Sequence, residues 1–267
     1  MEAPRFTVGA DPEVFLANSS GKVTSSIGRV GGSKDKPAPL SRPGFFVQED
    51  NVALEFNIPP ASTLAEFVDS IEWSISHIRN TLSKHDYNIV ISPSAIFSDD
   101  ELTEPQARAF GCTPDFNAWT GRQNPAPTCD NPNLRSCGGH VHVGWELPKQ
   151  VERLALIQAM DLYLGVPSVL LDKNTERRKL YGKAGCFRPT DYGAEYRTLS
   201  NFWLSSRSFI KWVYEQTEKA FNHATDWTQW PRLKELQSDI ETSINANNVT
   251  IANRLIATHK LVMPSVY

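Results

Sequence analysis

Apolar and polar positions recur along the chain with two distinct periods, and the period predicts the element. Residues 6–16 (FTVGADPEVFL) are rich in β-formers and end at the Asn18-Ser-Ser-Gly21 turn, which predicts a strand with a short hairpin partner from Lys22-Val23. Residues 28–44 (GRVGGSKDKPAPLSRPG) are dense in Gly, Pro, Lys and Arg and read as a long loop. Loops of that length inside compact domains often act as lids or binding loops. Residues 45–58 (FFVQEDNVALEFNI) predict a strand or hairpin, stopped by Pro59-Pro60. Over 62–85 the period changes. Thr63 and Glu66 have capping-box spacing, and Leu64, Phe67, Val68, Ile71, Ile75, Ile78 and Leu82 recur at three and four residues, the mark of one buried helix face.

Further on, residues 88–92 predict a short strand and 98–138 mostly irregular structure. Residues 139–145 (GGHVHVGW without its first Gly) form another strand, and Pro148 suits the first position of a helix reaching to about Leu164. A basic, Gly-containing segment, 177–193, leads into a strand at 194–199, and 206–261 reads as two or three helices broken near Pro231 and Asn247-Asn248. Strands and helices do not alternate as βαβ units do. The fold class is therefore α+β with a mostly antiparallel sheet. No linker divides the chain, so residues 1–267 are expected to form one domain, with 206–267 its helical C-terminal part.

The composition suits a globular chain: 40% hydrophobic, 10% aromatic and 21% charged over 267 residues. Its 27 Lys and Arg against 30 Asp and Glu lack the cationic excess of a nonspecific nucleic-acid or polybasic membrane surface. No apolar stretch is expected to approach the ~20 residues of a bilayer span, and the start lacks a basic stretch followed by an apolar one, so no signal peptide is expected. Cys112, Cys129, Cys137 and Cys186 include no CxxC pair, which excludes a zinc site of ordinary spacing and points to reduced thiols in the cytoplasm.

Four predicted strands carry polar residues two apart, hence on one face: Asp11 and Glu13, Glu55 and Asn57, His140 and His142, Glu195 and Arg197. Their neighbours (Val14, Leu54, Phe56, Val141, Val143, Tyr196) are apolar, so one face is built for a core. A charged sheet face is often merely solvated. Gathered together, however, carboxylates with a histidine suit magnesium or manganese, and arginine beside them suits an anionic ligand such as polyphosphate. His140-Val-His142 by itself is equally a buried histidine pair. Glu146 follows at cupin spacing, but no second histidine motif completes that site, since His223 and His259 fall on predicted helices. The stretch 177–188 (RRKLYGKAGCFR) is either a solvated basic loop or a phosphate clamp. Neither a P-loop nor a dinucleotide fingerprint is present.

Together GADPEVFL, ALEFNIPP, GGHVHVGW and YGKAGCFRPTDYGAEYRTLS resemble, in the same order, the carboxylate–amine ligases of the glutamine synthetase and glutamate–cysteine ligase superfamily, above all the small phage amidoligases. The likeness covers about residues 6–204. It implies a curved antiparallel sheet whose concave face holds ATP, two or three Mg2+ or Mn2+ ions and a carboxylate substrate, with helices behind. By position it implies metal binding at Asp11, Glu13, Glu55, His140 and Glu195, and nucleotide binding at His142, Arg178, Lys183 and Arg188. Asn57 and Arg197 would face the substrate, with Arg197 and Glu195 catalytic. Asp11 stands where most relatives carry glutamate; one methylene shorter, it is expected to reach a metal through water or not at all.

The implied activity is ATP-dependent amide formation: a carboxylate attacks the γ-phosphorus, and an amine then attacks the acyl phosphate. The sequence names neither acid nor amine; free amino acids, peptides, peptidoglycan fragments, protein side chains or a modified base are all open, and with no modified base no nucleic acid or membrane partner is expected. The expected compartment is the cytoplasm, the bacterial host's if the chain is phage-encoded. The alternatives are a phosphotransferase on the same fold, a catalytically silent phage structural protein, and a metalloenzyme indifferent to nucleotide.

Overall fold

The computed structural model describes residues 6–109, 115–226 and 228–265; Cys112 and the first five residues, on which the thiol and leader expectations partly fall, lie outside them. Seven strands build the region of interest: β1 (Phe6–Ala10), β2 (Glu13–Asn18), β3 (Phe46–Asp50), β4 (Ala53–Asn57), β5 (Val141–Trp145), β6 (Cys186–Thr190) and β7 (Gly193–Tyr196). They pair antiparallel in two sheets, one with the order β1-β5-β7-β6 and the other β2-β4-β3 at its centre.

The two sheets meet where a single strand was expected. The segment 6–16 breaks at Asp11-Pro12, so β1 and β2 belong to different sheets. Proline removes a ladder donor, which makes this the natural point for a strand to leave its sheet. Backbone bonds carry the structure around the corner: Phe56 N–H to the Pro12 carbonyl (3.2 Å), Ile58 N–H to Ala10 (3.2 Å), and a reciprocal pair between Val8 and Ala61 (2.9 and 2.8 Å). The result is a curled antiparallel surface rather than two separate sheets.

Strand alternation sorts the residues. Val8, Ala10, Val14, Leu54, Phe56, Val141, Val143, Ala194 and Tyr196 are all buried in the main core. Helix α1 (Leu64–Leu82) begins at a true capping box, with Glu66 N–H donating to Thr63 Oγ1 and Thr63 N–H to Glu66 Oε2 (both 3.2 Å). The predicted apolar stripe is its buried face, and Phe67 packs on Trp203 and Tyr214. The helix Arg207–Thr225 reaches the back of the first sheet, where Phe221 stacks on Phe6 (4.9 Å between centroids) and meets Trp145 edge-on.

Four expectations need correction. The helix after β5 starts at Gln150, with Pro148 outside it, and runs unbroken to Leu171. At 22 residues it is long and apolar enough to cross a bilayer by composition, but 78% of its most apolar window is buried inside the fold. The segment 177–193 is no simple loop: it contains the helix Glu176–Leu180 and strand β6. Among its described residues the C-terminal part holds four helices, with Pro231 in the first turn of Trp230–Glu235, where its missing N–H costs nothing.

Where Asp161–Gly165 widens to a π-turn, Asp161 is fully buried and gathers Trp119 Nε1–H (2.7 Å), Gly185 N–H (2.6 Å) and Tyr196 O–H (2.8 Å). Burial outweighs these donors and pushes its carboxyl up to about 7. Because the folded value exceeds the ordinary 3.8, this group's contribution to stability is complete below about 4 and is lost as pH rises through about 7. Asp161→Ala orphans all three donors and is expected to cost roughly 3–5 kcal/mol in urea unfolding. Asp161→Asn should flatten the fall in stability between pH 5 and 8; an unchanged slope would refute the assignment.

Candidate active site

Two ladder rows bring the site together. Across the first sheet Gly9, His142, Glu195 and Arg188 lie in register; across the second, Glu13, Glu55 and Gln48 do. Both rows face away from the apolar core, and the break at Asp11-Pro12 turns them toward one another. The chain therefore deals Asp11 to one row and Glu13 to the other.

Asp11, His140 and Glu195 offer donor atoms within 4.8 Å of one another, and Glu13, Asp50 and Glu55 form a second such group. In the first group His140 Nδ1 lies 3.4 Å from Asp11 and 3.5 Å from Glu195, while His142 Nε2 is 2.9 Å from Asp11 Oδ1. Burial and Arg197 push His140 down to about 4, so its imidazole is neutral at neutral pH and able to ligate. Burial raises the Asp11 carboxyl, but the two histidines outweigh it and hold it ionised. Burial lowers His142, but Asp11 and then Glu195 outweigh it and raise its pKa.

In the second group, burial and mutual repulsion outweigh the cations nearby. Burial and then Asp50 raise Glu13 to about 7; burial raises Asp50; burial and four neighbouring carboxylates raise Glu55 well above its usual range. Oxygen donors in this number and spacing suit a hard divalent cation. Glu55 keeps one neutral bond, accepting Gln48 Nε2–H at 2.9 Å.

The Gly-Gly before His140 has a steric cause. A Cβ on Gly138 would fall 2.2 Å from His140 Nε2, and one on Gly139 would fall 2.3 Å from the Ser200 carbonyl oxygen and 2.4 Å from Trp203 Nε1. Gly138 also donates its N–H to Glu13 Oε2 (2.6 Å), which ties the two groups together. Glu195 is clamped by two guanidinium groups, Arg188 at 2.9 Å and Arg197 more closely still.

A cavity of about 740 Å³ opens above both groups, lined by Asp11, Glu13, Asp50, Glu55, Asn57, His140, Arg188 and Arg197, with Lys34 on its rim. His142 lines an adjoining groove of about 380 Å³ with Gly9, Gly144 and Tyr192. Most residues singled out by the sequence thus meet in one place. Two do not. Arg178 is buried away from the cavity, bonded to the Ser168 carbonyl (2.7 Å) and to Asn247 Oδ1. Lys183 is exposed, and its carbonyl accepts the Thr198 hydroxyl (2.9 Å) and the Cys186 N–H (3.3 Å). Arg177, the neighbour of Arg178, takes the position beside His140 (3.5 Å). Asp50 was missed; the signal was available, because Gln48 and Asp50 alternate on β3 just as Glu55 and Asn57 do on β4.

Residues 132–245 match the family described as phage phiEco32-like COOH.NH2 ligase, type 2. The matched segment carries His140, His142, Arg177, Arg188, Glu195 and Arg197, whereas Asp11, Glu13, Asp50 and Glu55 come from the part before it. No curated protein matches the sequence. Among solved structures, ligand-free GmaS is similar at 10% identity over 96% of this chain and 70% of its own, with a TM-score of 0.45. A bifunctional glutathione synthetase from Pasteurella multocida is similar at 12% identity over 96% of this chain, with a TM-score of 0.46; the chain spans 49% of its length. GmaS in complex with ADP is similar at 10% identity over 96% of this chain and 70% of its own, with a TM-score of 0.39.

Glu55→Gln keeps the Gln48 bond and removes a crowded buried charge. It is expected to stabilise the metal-free protein by about 1 kcal/mol, read by urea unfolding in EDTA at pH 8. For Glu13 the sign is that of a raised acid: metal-free stability falls as pH rises through about 7. A variant no more stable than wild type would contradict the crowding described here.

Proposed function

We propose that the chain is an ATP-dependent carboxylate–amine ligase whose reaction centre lies on the concave face of the curled sheet, within one catalytic domain that includes the helical part 206–267. The observation that carries this reading is the convergence of Asp11, His140, the second donor group and two arginines in a single cavity, with Glu195 buried behind both arginines, within and beside a segment that matches a ligase family. Its substrates are a small or peptidic carboxylate and amine together with ATP.

Mg2+ or Mn2+ would be held by Asp11, His140 and Glu195 on one side and by Glu13, Asp50 and Glu55 on the other, where it supplies charge neutralisation for phosphates and carboxylate. The residues fit, because the second group gathers three carboxylates, Glu55 buried and Glu13 and Asp50 half-buried, whose raised pKa values a cation would bring down. The chain's own groups do the positioning. His142, aligned by Asp11 and by the Tyr192 hydroxyl, faces the phosphates from the adjoining groove. Asn57 lies on the boundary between groove and cavity and orients the acid. Arg188 meets phosphate oxygens, and Arg197 stabilises the transferred phosphoryl group and then the oxyanion formed when the amine attacks. Glu195 fixes both guanidinium groups through its two oxygens. A carboxylate oxygen is a poor leaving group; phosphorylation supplies a good one, and a rigid sheet with preset charges suits that task.

Titration calorimetry tests the reading. Mg-dependent ATP binding is expected, weakened about tenfold or more in Glu195→Gln, and ADP release should require both an acid and an amine. Cation affinity should fall as pH drops through about 7, as Glu13 takes up its proton. Absence of ATP binding with every divalent metal would end the ligase reading.

A further inference from the structure

The loop 28–44 is braced, not loose. Glu49 lies on β3 next to Asp50 and accepts the backbone N–H groups of Gly28 (2.9 Å), Gly31 (2.8 Å) and Val30 (3.4 Å). Gly32 has φ +79°, and a Cβ there would meet Ala38 N and Val47 O at 2.6 Å each, so the loop presses directly on β3. Ala38–Pro39 pairs with Phe46 and Val47 in register. Arg42 bonds Asp69 (2.7 Å) and covers the rings of Phe45 and Trp73. At the tip, Ser33 and Lys36 exchange two backbone bonds of 3.0 Å, leaving Lys34 and Asp35 as a two-residue turn.

This scaffold carries Lys34 to the rim of the cavity that holds Glu13, Asp50, Glu55, Arg188 and Arg197. A loop of this composition would lose much conformational entropy on ordering; fixing it at several points places one ammonium group in advance of any ligand. Two arginines from the sheet and a lysine from the loop surround a space floored by two cation-binding groups. Such a space matches a group with several negative charges better than a singly charged carboxylate.

We propose that Lys34 binds the terminal phosphoryl group of a nucleoside triphosphate and that Glu49, on the opposite face of the strand that carries Asp50, is the residue that positions it. The inference rests on the ligase reading above. It adds a nucleotide contact and a positioning residue, both from the part of the chain before the ligase match.

The test compares ATP with ADP, each with Mg2+, by calorimetry on the full chain. Lys34→Met is expected to weaken ATP about tenfold while leaving ADP unchanged, because only ATP carries the terminal group. Lys34→Arg should recover part of the loss. Glu49→Gln should weaken ATP about threefold, and should add nothing in a Lys34→Met background if it acts only through Lys34. Should Glu49→Gln fail to fold, the exposed Lys34 variants decide the matter. Equal weakening of ATP and ADP by Lys34→Met, or of neither, would overturn the proposal while leaving the ligase reading intact. Wild-type protein that binds neither nucleotide would overturn both.

Discussion

Crowding of like charge at one buried corner governs this molecule. Glu13, Asp50 and Glu55 crowd together there, and burial with mutual repulsion outweighs the pull of Lys34 and the arginines around them. Desolvation and mutual repulsion penalise their ionised forms together. A sequence optimised for stability alone would place an amide or an apolar side chain in at least one of these positions. The corner is therefore a local sacrifice of stability, tolerable only because large apolar faces on α1 and on the helix Arg207–Thr225 cover the other side of the sheet.

The sacrifice depends on a break in the backbone. Were residues 6–16 one continuous strand, Asp11 and Glu13 would stand side by side on one sheet face and could serve only one group. The turn at Asp11-Pro12 sends them in separate directions while keeping them close. The shorter side chain at Asp11 also finds its use, since it rests against His142 at 2.9 Å and His140 at 3.4 Å. Gly138 both grips Glu13 through its N–H and, by lacking a side chain, makes room for the His140 ring, so one residue serves both groups.

Much of this was legible beforehand. Period-two spacing of polar residues singled out Glu55, His140, His142, Glu195 and Arg197, because strand geometry sends alternate residues to one face whatever the tertiary context. The capping box at Thr63 and the apolar stripe of α1 were equally plain. What failed was long-range or depended on one residue of phase. Arg177 and Arg178 are adjacent on a short helix, and pattern alone gives no phase for it; packing against Ser168 and Asn247 claims Arg178, leaving Arg177 for the site. Lys183 was grouped by composition, which says nothing of direction. Asp50 was passed over in a segment read as one strand or hairpin, although its period-two spacing from Gln48 was there to read; the register of Gln48 against Glu55 adds that this face meets Glu55. The helix after β5 was ended at about Leu164 rather than Leu171 because the π-turn Asp161–Gly165 shifts the apolar phase there.

The bond between Glu13 and Gly138 spans 125 positions of sequence. Closing so long a separation costs loop entropy before any contact repays it, and topologies dominated by such contacts fold slowly. No local piece of the chain can assemble this corner in advance, so the centre comes into being only with the whole fold. A ligand that recognises it is thereby linked to global unfolding rather than to the fraying of one element. The distance along the chain makes the site a report on the completeness of the molecule.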